Sequence, residues 1–356
     1  MSATPESTSL VPREGVGELS GDEKSKRIAE TFIANVNTNT TNESPNVSKP
    51  SPMLKSFLNA RYVGDFPRVV AVREHVAQVC ADFVGSGLAD PDFESELCSG
   101  NDPRFWQRFT EAFLGSELRR IGFRLLPARS GPDHSFESHG ITVRIECICP
   151  EPKGVPEEWL SEEPQVAGVT FPHPEILLRW TAAIKEKVEK FLGGAGNAGY
   201  IAKGVIGNDD VCVVAVNGRQ LRGLFASIDG ISGFPFALEA VFPVGPRQIT
   251  IDRASLKQTD SGHQHRPLIT KPKGAPVSAE MFLDPAFGGI SAIWATDFSD
   301  LSPLGSVPQS SIIHNPLATN PLPLGLLPVQ WEYVAVPSGP GEYTVTRHPG
   351  RLAPPQ

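Results

Sequence analysis

Proline and glycine set the first limit on this chain. There are 34 Pro and 33 Gly in 356 residues. A proline inside a helix removes a backbone hydrogen bond and clashes with the preceding turn. A coiled coil and an all-helical bundle are therefore excluded. So is a helical membrane protein, because no stretch approaches the ~18 consecutive apolar residues that a spanning helix needs. Regular elements must lie where these two residues thin out. Residues 105–126, for example, contain Gly115 and Gly122 but no proline.

In such stretches the apolar spacing predicts specific elements. Val69, Val70, Val72, Val76, Val79, Cys80 and Phe83 recur at helical intervals, and so do Phe105, Trp106, Phe109, Phe113, Leu114 and Leu118. A loop is predicted between them, over 90–103. The strongest helical pattern covers 174–192, opened by Pro174 and closed by Gly193-Gly194. Strands are predicted at 123–127, 134–137, 141–150 and 211–216. Residues 193–199, GGAGNAG, follow a helix where a phosphate cradle would precede one, and read as a flexible turn. After Gly233 short strands at 238–242, 248–251, 290–295 and 331–336 alternate with Pro/Gly turns. The organisation expected is a disordered leader and linker over 1–52, with a short helix at 22–34. A helical part over 53–100 follows, then an α/β core over 101–220, a β-rich extension over 221–336 and a loose tail over 337–356.

Charge and cysteine usage narrow the function classes. With 32 Lys+Arg against 40 Asp+Glu the formal net charge is −8, which argues against a protein that coats nucleic acid by bulk charge. The balance is uneven: residues 104–129 hold six arginines and two glutamates, a local +4. The five cysteines include no CxxC pair. Cys147 and Cys149 would share one face of a strand, and a zinc site would need His263 and His265, which lie in a polar stretch with no strand pattern. The first residues lack the apolar segment of a secretory signal. These features predict a reduced, cytoplasmic protein with no membrane association; the oligomeric state is not legible.

The segment GPDHSFESHGITVRIECICP, residues 131–150, carries the sharpest chemical signal. A hairpin turning at Ser138–Gly140 would place Asp133 opposite Glu146, and cross-strand partners stand about 5 Å apart. Two carboxylates so placed can share a divalent cation through oxygen ligands. A glutamate inside an apolar strand is costly unless it is paired or bound to metal. The plainer alternative is equally physical: Asp133 as a turn residue, and Glu146 paired with Arg144, Arg119 or Arg124. The neighbouring His134 and His139 are expected in solvent, and Trp106, Trp180 and Trp294 in the core.

Taken in order, helix, strands, Pro-Asp at a strand head, Ile-Glu in an apolar strand, then helix and strand resemble the PD-(D/E)XK nuclease-like superfamily. The stretches GPD…VRIEC…P, ILLRWTAAIKEKVEKF, VVAVNGR and HNPLATNPLP are similar to uncharacterised bacterial proteins with that core. The resemblance implies an αβββαβ core and Mg²⁺ (or Mn²⁺) held by Asp133, Glu146 and the Cys147 carbonyl, for phosphodiester hydrolysis of DNA or RNA. It departs at the family lysine, because Ile148 stands two residues beyond Glu146. Relatives that move this lysine to the next helix make Lys185 and Lys187 the candidates, with Arg179 and Thr181 as phosphate contacts. The competing expectation is a catalytically silent module that binds a partner protein or nucleic acid through the same cleft.

Overall fold

The computed structural model describes residues 48–127, 131–161, 170–194, 196–223, 227–271, 273–304, 308–339 and 342–352. The leader and its expected helix at 22–34 lie outside the described residues. The helices are α1 (Pro52–Arg61), α2 (Pro67–Gly85), α3 (Phe93–Leu97), α4 (Asp102–Arg120), α5 (Glu157–Leu160), α6 (His173–Leu192) and α7 (Phe236–Val241). Proline occupies the first turn of α1, α2, α4 and α6. It costs no hydrogen bond there, because the first N–H groups of a helix have no acceptor within it. Ser51 and Asn101 cap α1 and α4 by accepting from Leu54 N at 3.1 Å and Arg104 N at 3.0 Å.

Seven strands form one mixed sheet. Its members are β1 (His134–Ser138), β2 (Ile141–Ile148), β3 (Val211–Asn217), β4 (Ala292–Thr296), β5 (Ser310–His314), β6 (Trp331–Gly339) and β7 (Glu342–Pro349), adjacent in that order. Pairing is antiparallel for β1/β2, β4/β5 and β6/β7, and parallel for β2/β3, β3/β4 and β5/β6. Alternate side chains divide between two cores, as strand geometry requires. Val143, Ile145, Cys147, Val213, Ala215 and Trp294 pack with α1–α4. Ile148, Cys212, Val214, Val216 and Ile293 pack with α6 and α7. The molecule is thus a mixed α/β fold with helices on both faces of the sheet. No helix among the described residues is long and apolar enough to cross a membrane.

Several elements differ from expectation. Residues 123–127 form only an isolated bridge, Leu125 to Phe136, so two strands precede α6 in place of three. The 90–103 loop contains α3. The apolar run at 238–242 falls in α7, since a short, fully buried run fits either element by pattern alone. The expected separate extension supplies β4, β5 and β6, which complete the central sheet. The expected loose tail includes β7, which pairs with β6 along its length. His263 and His265 lie in a strand, Gln258–His265, of a separate two-stranded ribbon. The five cysteines are unpaired thiols.

Candidate functional site

The β1–β2 hairpin takes the register read from the sequence. His134 pairs with Ile145 and Ser138 with Ile141, which sets Asp133 level with Glu146 just past the end of β1. The turn residues His139 and Gly140 have φ of 51° and 79°, the left-handed pair of a tight type I′ connection. Beyond β1, side chains replace the missing strand. The Cys147 N–H donates to Asp133 Oδ2 at 2.6 Å and the Cys149 N–H to Gln107 Oε1 at 3.0 Å. The Gln107 amide donates in turn to the Cys147 carbonyl at 3.1 Å and to Glu111 Oε1 at 2.9 Å. Asp133 is half-buried, while Glu146 is fully enclosed.

Glu146 points toward α6, and α6 answers it with two cations. Lys187 Nζ lies 3.2 Å and Lys190 Nζ 2.8 Å from Glu146 Oε2, and the Tyr200 hydroxyl donates to Oε1 at 2.9 Å. Arg144 and Arg119, weighed as partners, are engaged elsewhere: Arg144 pairs with Asp210 at 2.8 Å and Arg119 donates to the Asp82 carbonyl at 3.4 Å. Burial and the nearby Asp133 charge push the Glu146 carboxyl up, while the two ammonium groups pull it back. Burial works against the Lys190 charge, but Glu146 more than offsets it and the ammonium is held firmly protonated. Burial and Glu146 together push the Tyr200 phenol up.

Of the two lysines named from sequence, Lys187 is at the site and Lys185 is not. The Lys185 side chain is 65% exposed and faces Glu189 at 3.7 Å. Lys190 and Tyr200 are additions that the sequence pattern does not reveal. Lys190 follows Lys187 by a little under one turn, on the same flank of α6. Tyr200 is carried back by two short paired segments, Gly193–Gly194 and Asn197–Ala198, so that its N–H reaches the Lys190 carbonyl at 2.8 Å. Gly193–Gly194 and Asn197–Ala198 of the glycine-rich run are therefore held against each other. A Cβ at Gly199 would collide with the backbone at Gly193 N and the Phe191 carbonyl oxygen, a close approach only glycine permits.

The phosphate-contact candidates are committed elsewhere. Arg179 Nε donates to the Glu151 carbonyl at 2.8 Å, and buried Thr181 donates to the Leu177 carbonyl at 2.9 Å within its own helix. The +4 segment is also partly neutralised by acids outside it: Arg108 contacts Glu96 at 2.6 Å and Asp90 at 3.6 Å. Glu111 is a third acid near Asp133, projecting from α4. Burial and the Asp133 charge raise its carboxyl to about 7. Its signal in sequence was a lone acid on the apolar stripe between Phe109 and Phe113. The thiol of Cys147 is buried and pushed well up by burial, so only its carbonyl is available as a hard ligand. His134, expected in solvent, is enclosed, and burial drives its imidazole down to about 4. Its ring packs edge-on to Phe83.

What these groups offer chemically is a set of carboxylate and carbonyl oxygens at one end of the sheet, with two ammonium groups on the α6 side. Among the described residues no group of three or more His, Cys, Asp or Glu is placed to hold a metal ion. No protein-family model, curated protein or solved structure matches the chain.

Proposed function

We propose that the protein is a metal-dependent phosphodiesterase acting on nucleic acid. The observation that carries this reading is the convergence of Lys187 and Lys190 from α6 on Glu146, across from Asp133. It supplies from the helix the cation that Ile148 cannot supply from the strand. The ligand set would be Asp133, Glu146 and the Cys147 carbonyl. All three offer oxygen, which suits Mg²⁺ or Mn²⁺, and such ions bind through one or two carboxylates and keep several waters. The chemistry such an ion would supply there is activation of water and neutralisation of charge on the phosphate. Lys190, less buried than Lys187, would donate a hydrogen bond to a developing anion. Tyr200 holds the second Glu146 oxygen and so fixes the carboxylate plane.

A second reading has its own support. Glu146 is fully enclosed and already accepts from three protein donors. That is the pattern of a self-satisfied network in a catalytically silent module that binds through the cleft.

Isosteric substitutions separate the two. Plasmid, single-stranded DNA and RNA are incubated with the wild type, Asp133→Asn and Glu146→Gln, in Mg²⁺, Mn²⁺ and EDTA. The amide oxygen introduced by Asp133→Asn can still accept from the Cys147 N–H, so folding is preserved. The active reading expects metal-dependent cleavage that falls by about 100-fold or more in both variants. Cleavage that survives both substitutions removes the site. Binding without cleavage by the wild type in every metal leaves the silent module.

A further inference from the structure

Beyond the sheet, the chain extends a two-stranded ribbon, Val244–Ile251 paired with Gln258–His265. Its root is anchored on the α6 side of the molecule. Val244 lies in the core with α6 and α7. Arg266 contacts Glu239 at 3.2 Å and the Val244 carbonyl at 2.8 Å, and Glu239 receives His173, the first residue of α6, at 2.6 Å. Past this root every residue from Arg247 to Asp260 is exposed. The arm is nevertheless well formed. Asp252 closes the tip by accepting from the N–H and hydroxyl of Ser255 at 2.7 and 2.6 Å. The Asp252 and Leu256 N–H groups donate to the Lys257 and Asp252 carbonyls, both at 2.9 Å.

An isolated two-stranded ribbon gains nothing from projecting into water, where it has no second face to bury. Its charge suggests what it meets. The ribbon, residues 244–265, carries three basic residues against two acids on a chain of −8, and Lys271 and Lys273 follow it in sequence. Arg247, Arg253 and Lys257 pair with no acid among the described residues, while Asp252 is occupied by Ser255 and Asp260 accepts from Ser261 N at 2.8 Å. Arg247 and Ile249 share one face of the ribbon, with Gln248 and Thr250 on the other. The ribbon reaches about 17 Å from Arg247 to its tip, at ~3.4 Å per residue. A two-stranded ribbon fits the ~12 Å major groove of B-form DNA, whereas the major groove of A-form RNA is too narrow to admit side chains. The root and the Glu146 network lie at opposite ends of α6. His173 and Lys187 are separated by about 21 Å along the axis at ~1.5 Å per residue.

We propose that this arm docks in the major groove of double-stranded DNA and grips the duplex away from the Asp133–Glu146 site. The inference rests on the phosphodiesterase reading and names its substrate as duplex DNA. Arg247, Arg253 and Lys257 supply the phosphate contacts; Gln248 and Thr250 face the base edges.

The test measures binding of the full chain to a labelled 24-base-pair DNA duplex by fluorescence anisotropy in EDTA, where no cleavage intervenes. The wild type is compared with the triple variant Arg247→Ala, Arg253→Ala, Lys257→Ala. Because all three side chains are exposed, the thermal midpoint should be unchanged. At 50 mM salt the variant should bind at least tenfold more weakly. The slope of log K against log salt should fall in magnitude by about 2–3, near 0.9 per lost phosphate contact. With duplex RNA of the same sequence the two proteins should differ less than twofold. Equal DNA affinity and slope in wild type and variant overturn the proposal, as does absence of duplex binding by the wild type. Light scattering that shows a wild-type dimer dissolved by the substitutions overturns it in favour of a second copy of this chain on the arm. Cleavage in Mg²⁺ is scored separately. Its loss in Glu146→Gln with duplex binding intact concerns the site alone; equal binding with cleavage intact removes the arm alone.

Discussion

Lys187 and Lys190 touch the same carboxylate oxygen but differ in how much water they see, at 6% and 39% side-chain exposure. Either truncation leaves Glu146 with the other lysine and Tyr200, but loss of Lys187 removes a contact wholly out of water, while the Lys190 head is partly solvated and its contact is screened. Lys187→Ala should therefore lower the urea unfolding free energy by several-fold more than Lys190→Ala. In the active reading Lys190→Ala should lose more cleavage than stability. Two other buried groups give opposite pH dependences. The Glu111 carboxyl, normally near 4.5, is raised to about 7. Between those values the folded protein keeps a proton that the unfolded chain has released, so stability falls as pH rises through the window, and Glu146 shifts in the same sense. The His134 imidazole is lowered from 6.5 to about 4. The unfolded chain then binds a proton that the folded protein refuses, and stability falls as pH drops from 6.5 to about 4. Urea midpoints from about pH 4 to 8 should show this opposition released. In Glu111→Gln, acid destabilisation below about pH 6.5 should steepen. In His134→Leu, the midpoint should rise as pH is lowered from about 7 to 4.5. Asp133 and Glu146 were legible because turn residues and strand period fix which positions face each other. Lys190 was not, since ideal helical angles give no weight to one flank residue over another near a helix end. Tyr200 was hidden because its place depends on a backbone reversal between glycines.

Two tight turns position the site, and they tolerate change differently. The Gly193–Ala198 reversal has backbone packed against the Gly199 position. Gly199→Ala should force it open, move Tyr200 off Glu146 and lower stability by about 2 kcal/mol or more, in the range of other backbone-strain substitutions. A phenol titration by absorbance checks this: the Tyr200 hydroxyl should return toward 10 in the variant. At the β1–β2 turn the strained residue is already non-glycine. His139 at φ 51° is followed by Gly140, and Asn-Gly is the favoured pair for this geometry. His139→Asn should raise the unfolding free energy by a few tenths to about 1 kcal/mol, read from the denaturant midpoint. At this scale the sequence was informative where periodicity ran long, as in α4 and α6, and silent where runs were short. Phe236–Val241 is buried on all sides. Such a run presents no polar face from which to count a period.

The whole sheet shows what local pattern cannot reach. Strand order was not legible, because β3 takes its neighbours from residues 141–148 and 292–296, far away on either side in sequence. The tail hides its strand for a related reason: Glu342–Pro349 alternates weakly and acquires its order only by pairing with β6. That pairing also covers the edge of β6, and unpaired edges recruit other chains. A chain ending at Gly339 should lose Val345 from the core and sediment as larger species at concentrations where the full chain does not. The interleaved order has a consequence in time. The β1–β2 hairpin is local and can close early, within microseconds. Its inner edge is not covered until β3 is available, and β3 stays open on its far side until residue 296 has been delivered. A chain emerging from the ribosome thus holds Glu146 without Lys187 and Lys190, and later holds a half-width sheet with one bare edge. The apolar centre of this protein depends on the last third of its synthesis, so a nascent chain paused before residue 292 is the species most in need of a chaperone.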